Sequence, residues 1–340
     1  RLTIDLAAQH ALYQQLQQDA GAAAAINPQT GEILAFVSSP SFDPNVFQTY
    51  VPDSLRQQWN ESEKSFFLNR ANSGYAPGST FKLVTSAIGL RAGTLIPDEV
   101  VPISGLHWQP DNSWGQYRIT RVRDSGPVNL EQAIITSDNI YFAMQALRFG
   151  RSAFETDAVR FGIGIDLPAT YPFYRAQLSN EGLTRETLVA DTGYGQGEIL
   201  LTPLHMAMIY GALATDGDII MPLFEIDPAG TETAVWQAQA IRSEDVGLLR
   251  DIFTLVVDSP SGSGYTDPPA VRGMLGKTGT AELKATLDDD EANENGWFVA
   301  VDTEEGRLAI AMIVEDVKGR GGSHYVVPLV KQAMDHLLLP

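Results

Sequence analysis

The chain has 340 residues, 44% of them hydrophobic, which suits a large α/β unit with a substantial core and excludes a disordered segment. Its 23 basic and 42 acidic residues leave a formal charge of -19, which argues against nucleic acid, because phosphate binding rests on clustered lysine and arginine. Cysteine is absent, so disulfides, thiolate catalysis and Cys-ligated zinc are excluded.

Helix formers with Leu6, Leu12 and Leu16 predict an opening helix over residues 6–19. Ala22 to Ile26 and Ile33 to Val37 read as strands, joined by the turn chemistry of Asn27-Pro28-Gln29-Thr30-Gly31. Residues 40–77, rich in Pro, Asn, Ser and aromatics, read as irregular. Pro77-Gly78 breaks the chain directly before Ser79, and Phe81 to Leu90 reads as an apolar helix. Ser79 then stands at a helix N-terminus, with Lys82 one turn later on the same face. A second helix is expected from about Leu130 to Leu147, with Ser137-Asp138-Asn139 interrupting or flanking its start. Residues 165–200 read as a Pro- and Gly-punctuated connection, and Pro203 opens an apolar helix to about Ala214. Three strands follow, Met274 to Ala281, Trp297 to Val301 and Leu308 to Val314, before a closing helix from about Val326 to Leu339. The acidic run at 288–294 reads as a solvated loop, since it lacks the alternating ligand spacing of a calcium loop.

Two strands early and three late predict a mixed, mainly antiparallel sheet of five strands, closed by both ends of the chain. Helices would pack on both faces, with a helical subregion beside them. No internal repeat or linker divides the chain, so residues 1–340 read as one catalytic domain of α/β (α+β) class. No stretch reaches the ~18 consecutive apolar residues of a membrane helix. The start at Arg1, without an initiating methionine or signal peptide, suggests a piece of a longer chain whose anchor lies elsewhere.

Three motifs carry the chemistry: Ser79-Thr80-Phe81-Lys82, Ser137-Asp138-Asn139 and Lys277-Thr278-Gly279-Thr280. A serine hydroxyl needs a base within hydrogen-bond reach, and a lysine one helical turn away serves once its pKa is lowered. Burial and a neighbouring cation both lower it, and Lys277 is the candidate cation. A chance Ser-x-x-Lys on an exposed helix is the ordinary alternative, but two of only six lysines fall in these motifs and the following helix is apolar. Ser137 and Asn139 alternate around Asp138, so both can face one cleft, where Ser137 could pass a proton to a leaving amine and Asn139 hold an amide. Taken alone, such a string before a helix is more often an N-cap. On an edge strand Lys277, Thr278 and Thr280 would offer a cation and hydroxyls to a carboxylate, and Gly279 would let another backbone approach. The backbone N–H groups of Ser79 and Thr280 are candidates for an oxyanion hole.

Competing chemistries lack their marks. The five histidines show no His-Glu-x-x-His spacing, and there is no Gly-x-Ser-x-Gly elbow, Walker loop or dinucleotide fingerprint. No metal site or cofactor is expected.

The motifs, in this order, resemble the transpeptidase domain of a penicillin-binding protein, and the likeness spans nearly the whole chain. Leu2-Thr3-Ile4-Asp5-Leu6, Asn27-Pro28-Gln29-Thr30-Gly31-Glu32-Ile33-Leu34-Ala35 and Pro77-Gly78-Ser79-Thr80-Phe81-Lys82 resemble its opening segment, first hairpin and nucleophile segment. Four further strings resemble class B proteins of the low-affinity, staphylococcal methicillin-resistance type. They are Ser113-Trp114-Gly115-Gln116-Tyr117, Tyr171-Pro172-Phe173-Tyr174, Gly193-Tyr194-Gly195-Gln196-Gly197-Glu198-Ile199-Leu200 and Ala281-Glu282-Leu283-Lys284.

The resemblance implies a penicillin-binding-protein/serine β-lactamase-like fold and a D,D-transpeptidase that cross-links peptidoglycan stem peptides through an acyl-Ser79. It implies Lys82 as base, Ser137 and Asn139 as assistants, Lys277, Thr278 and Thr280 on the terminal carboxylate, and Tyr117 on the cleft rim. β-Lactam antibiotics would acylate the same serine. An extracytoplasmic, membrane-anchored setting is implied too, with a glycosyltransferase or cell-wall synthesis complex as partner. The rivals are a serine β-lactamase and a β-lactam-sensing domain. No Glu-x-x-Leu-Asn or Tyr-Gly-Asn segment marks the water activation that a β-lactamase needs.

Overall fold

In the computed structural model, which describes residues 1–227, 232–268, 270–282 and 292–339, the two ends of the chain meet in one sheet. Strands β1 (Gly21–Ile26) and β2 (Ile33–Ser39) form the early hairpin, and β3 (Met274–Glu282), β4 (Glu294–Asp302) and β5 (Ala309–Val314) the late meander. Their order is β2-β1-β5-β4-β3, with every neighbouring pair antiparallel. β3, which carries Lys277 to Thr280, is therefore an edge.

The helices are α1 (Leu6–Leu16), α2 (Asp53–Glu61), α3 (Lys82–Arg91), α4 (Leu130–Ile135) and α5 (Asn139–Ala158), then α6 (Glu186–Gly193), α7 (Pro203–Gly211), α8 (Ser243–Asp258) and α9 (Val326–Leu338). Alternation along each strand splits the core in two. On one face Ala23, Ala25, Phe298 and Met312 meet Leu12 and Leu16 of α1 and Val330 and Met334 of α9. On the other, Ala22, Ala24, Trp297 and Ile313 pack with α3, α5, α7 and α8. Burial on both faces explains why these strands read as continuous apolar runs. The architecture is the expected α/β fold, a five-stranded antiparallel sheet with helices on both faces.

Several elements differ from the sequence reading. The opening helix stops at Leu16, and Asp19 instead takes hydrogen bonds from Arg320 and Tyr325. Residues 40–77 contain α2, whose single buried residue, Trp59, packs among Phe42, Phe47 and Phe67. One buried position gives no periodicity to read. Residues 165–200 contain α6, which buries Leu188, Val189 and Ala190. The helix over 130–147 is interrupted at Ser137-Asp138 as expected, but its second part runs on to Ala158 with a bend at Gly150. α8 has no counterpart in the expectations, although Val246, Leu249, Ile252, Phe253 and Val256 repeat on one helical face. Glu294, assigned to an acidic loop, begins β4. Residues 288–291 of that loop, and Leu283 and Lys284 of the last string, lie outside the described residues.

Candidate active site

Ser79 sits on a single 3-10 turn, Gly78–Phe81, that leads into α3. The turn is clamped from three sides. Gly78, at φ 53°, donates to the Gly195 carbonyl at 2.9 Å, and the buried Tyr210 hydroxyl donates to the Thr80 carbonyl at 2.7 Å. The edge strand β3 lies against the same turn: a Cβ on Gly279 would stand 2.6 Å from the Pro77 carbonyl oxygen, and one on Gly78 would stand 3.1 Å from the Thr280 nitrogen. Glycine at 279 thus lets β3 approach the turn that carries Ser79. Gly195 is equally constrained, at φ 83° with a Cβ that would fall 1.9 Å from the Gly78 oxygen. Gly195→Ala is expected to push the turn aside and slow acylation of Ser79 by about a hundredfold, because small misplacements of a reacting atom are costly. Time-resolved intact-mass measurement checks this.

Lys82 is fully buried at the first position of α3, and its Nζ reaches four oxygens. These are Ser79 Oγ at 2.9 Å, the Ser137 carbonyl at 2.7 Å, Ser137 Oγ at 3.2 Å and Asn139 Oδ1 at 2.8 Å. The second motif supplies three of them because the chain breaks there. Ser137 takes φ 57° between α4 and α5, and Asp138 caps α5 by accepting from Tyr141 N at 3.0 Å. The Asp138 carboxylate turns away from the cleft onto Arg121 at 2.7 Å, while Ser137 and Asn139 face Lys82. Asn139 Nδ2 is fixed by the Thr120 carbonyl at 3.0 Å.

Lys277 is also fully buried, and its Nζ donates to Ser137 Oγ at 2.9 Å, so one hydroxyl bridges both lysines. Burial lowers the Lys277 pKa to about 7. Burial, and then the positive charge of Lys277, hold Lys82 well below the usual lysine value, with Asp138 acting in the opposite sense. Both influences disfavour the protonated form of the amine that touches the Ser79 hydroxyl.

A cleft of about 570 Å³ opens over this network. Ser79, Ser137, Asn139, Thr278, Gly279 and Thr280 line it, whereas Lys82 and Lys277 are not among its lining residues and act through hydroxyl neighbours. Tyr117 does not line it either, contrary to the rim expectation. Its hydroxyl donates to Asp191 at 2.6 Å, and Tyr194, which does line the cleft, shares that carboxylate. Desolvation raises the pKa of Asp191, and burial beside that carboxylate raises both tyrosines. Sequence reasoning missed Ser263, Arg123 and His324 on the cleft wall, since nothing local marks them. Gln196 was within reach, inside a quoted string to which no site role was given; its amide donates to the Thr280 carbonyl at 3.3 Å. Among the described residues no cluster of three or more acidic or imidazole groups is placed to hold a metal.

The fold defines the class: it is the penicillin-binding protein transpeptidase fold, with Ser79 at a helix start beside a sheet edge. The chain belongs to the penicillin binding protein transpeptidase domain family, which it matches over residues 21–335, and within it to the class B group. It is 43% identical over 334 residues to penicillin-binding protein 3 of Bacillus subtilis, covering 97% of this chain and 50% of that one. It is 29% identical over 313 residues to the peptidoglycan D,D-transpeptidase PbpA of Mycobacterium tuberculosis, covering 87% of this chain and 62% of that one. The solved penicillin G acyl-enzyme complex of penicillin-binding protein A from M. tuberculosis superposes with a TM-score of 0.84 at 25% identity, covering 99% of this chain and 80% of that one. The chain thus spans between half and about three fifths of the length of these curated relatives.

Proposed function

We propose that this chain is the catalytic domain of a peptidoglycan D,D-transpeptidase, acylated by β-lactams at the serine it uses for stem peptides. The observation that carries the reading is the buried, low-pKa Lys82 amine 2.9 Å from Ser79 Oγ. The D,D-transpeptidase name of the mycobacterial relative and the penicillin G acyl-enzyme of its solved structure support it.

In this mechanism Ser79 Oγ attacks the penultimate D-alanine carbonyl while its proton passes to Lys82 Nζ. The Ser79 and Thr280 N–H groups stabilise the oxyanion. Collapse breaks the C–N bond, and D-alanine leaves with a proton delivered through Ser137, which touches both lysines. An amine from a second stem then attacks the ester, forms the cross-link and restores Ser79. Asn139 orients the donor amide. Thr278 and Thr280 hold the terminal carboxylate, with the Lys277 charge behind them, and Gly279 lets the donor backbone lie along the strand edge. Tyr117 supports Tyr194 at the cleft through Asp191.

Residues 1–340 would form one domain of a longer protein working at the extracytoplasmic membrane face, through an anchor outside this chain and beside a glycosyltransferase or synthesis complex. Among the described residues no helix is long and apolar enough to cross a membrane. The narrower likeness to the methicillin-resistance type rests on the four strings quoted above.

The test is benzylpenicillin with intact-mass detection over hours. A persistent adduct of one drug mass, absent from Ser79→Ala, is expected. Rapid return to free protein with the drug consumed would point to a β-lactamase, and no adduct at any concentration would refute the reading.

A further inference from the structure

We propose that Asp191 is a positioning residue for acylation: it fastens a short hairpin whose Thr120 carbonyl fixes the Asn139 amide. The inference rests on the acylation chemistry proposed above and adds to it a residue that is not among those lining the cleft.

The hairpin pairs His107 with Thr120 and Trp108 with Ile119, two residues on each strand. A ladder so short does not hold itself in water and depends on what it is tied to. Down its length Trp108 meets Trp114, and Trp114 meets Tyr117, each pair with ring centroids 5.9 Å apart. Helix α6 supplies the ties. The Tyr117 hydroxyl donates to Asp191 at 2.6 Å, and Trp114 Nε1 donates to Glu186 Oε2 at 3.2 Å. Asp191 takes the Tyr194 hydroxyl at 2.6 Å as well. Each tyrosine has one proton, a carboxylate has room for both, and burial keeps the two phenols protonated. Glu186 is exposed whereas Asp191 is desolvated, and a hydrogen bond onto a carboxylate withdrawn from water is the stronger one. Asp191 is therefore the firmer tie.

At its other end the hairpin enters the active site. Ile119 is fully buried, and the Thr120 carbonyl accepts from Asn139 Nδ2 at 3.0 Å. A side-chain amide carries its donors on one side and its acceptor on the other. The Thr120 bond therefore aims Asn139 Oδ1 at Lys82 Nζ, 2.8 Å away. If Thr120 moves, the amide is free to turn, and both Lys82 and the substrate lose a partner. Tyr117 and Thr120 lie three positions apart on one short segment, so a shift at the tie reaches the carbonyl. Arg121, next in the chain, stays bound to Asp138 at 2.7 Å and to the Gly105 carbonyl at 2.8 Å. Release of Asp191 thus shifts the hairpin without detaching it.

The test resolves benzylpenicillin acylation into the dissociation constant of the first complex and the acylation rate constant. Tyr117→Phe, which removes a single oxygen, and Asp191→Ala each slow the rate constant about tenfold and leave the dissociation constant unchanged. Asp191→Asn, whose carbonyl oxygen still accepts from Tyr117, keeps most of the rate. In an Asn139→Ala background neither Tyr117→Phe nor Asp191→Ala costs anything further, because the amide they position is gone. Equal slowing in both backgrounds would make the tie a structural one only, which overturns the assignment. An unchanged rate constant in Tyr117→Phe, or a loss confined to the dissociation constant, overturns it as well. Should Asp191→Ala fail to fold, Tyr117→Phe decides the matter alone. A wild type that is never acylated defeats the serine chemistry itself, a result visible before any variant is compared.

Discussion

Lys82→Met is expected to slow benzylpenicillin acylation by about a thousandfold while leaving the protein folded. Removal of a positioned general base costs on the order of 10²–10⁴ in rate. Here the base also holds Ser79 Oγ, Ser137 and Asn139 Oδ1 in one cluster, so orientation is lost with it. The pH profile is the sharper readout. Wild-type acylation falls as pH drops through the depressed Lys82 value, because the protonated amine cannot take the serine proton. That limb disappears in the methionine variant.

The substitution acts on stability in the opposite sense to activity, although both rise with pH in the wild type. Between the depressed folded value and the ordinary unfolded one, the unfolded chain binds a proton on Lys82 that the folded chain does not. Stability from this group therefore rises with pH across that window, and at neutral pH the buried lysine costs stability. Methionine removes this cost, while the oxygens of Ser137 and Asn139 turn to the cleft that both residues line. A thermal midpoint at or above that of wild type is expected at pH 7. A large fall would make Lys82 a structural residue, and an unchanged acylation rate would end its assignment as the base.

What the sequence made legible follows from where the information lies. The nucleophile turn was readable because a breaker, a serine and a lysine one turn apart sit within six residues, and local strings fix local geometry. The alternation of Ser137 and Asn139 around Asp138 held because an N-cap turns its side chain onto its own helix, leaving its neighbours to the cleft. The sheet was readable from its doubly buried strands. The place of Ser263 on the cleft wall was not, because it depends on the chain after α8 returning to β3, a long-range closure that no local pattern encodes. Tyr117 went astray for a related reason. An aromatic string shows that a loop packs, not which wall it reaches, and Asp191 draws it behind Tyr194. α8 is a different failure, since its apolar repeat lay in plain view between stretches that carried motifs.

Arg121 shows how much of the site rests on a residue outside every motif. Its guanidinium and the Asp138 carboxylate are paired at 2.7 Å with both side chains 1% exposed. Arg121 also donates to the Gly105 carbonyl at 2.8 Å and the Gly126 carbonyl at 3.1 Å, tying the loop before α4 to the Ser137–Asn139 break. Removing one member of such a pair strands a buried charge, at about 3–5 kcal/mol. Arg121→Leu is therefore expected to lower the unfolding free energy by that amount in denaturant titration. It also slows acylation, since Asp138 sits between the two side chains that hold Lys82. The double variant Arg121→Leu/Asp138→Asn separates the effects. Asparagine caps a helix about as well as aspartate and carries no charge, so much of the stability returns. The loop remains untied, so acylation stays slow. If both stability and rate recover together, the pair only neutralises charge and does not position the site. If the single variant is as stable as wild type, water reaches Asp138 and the pair is not buried in solution.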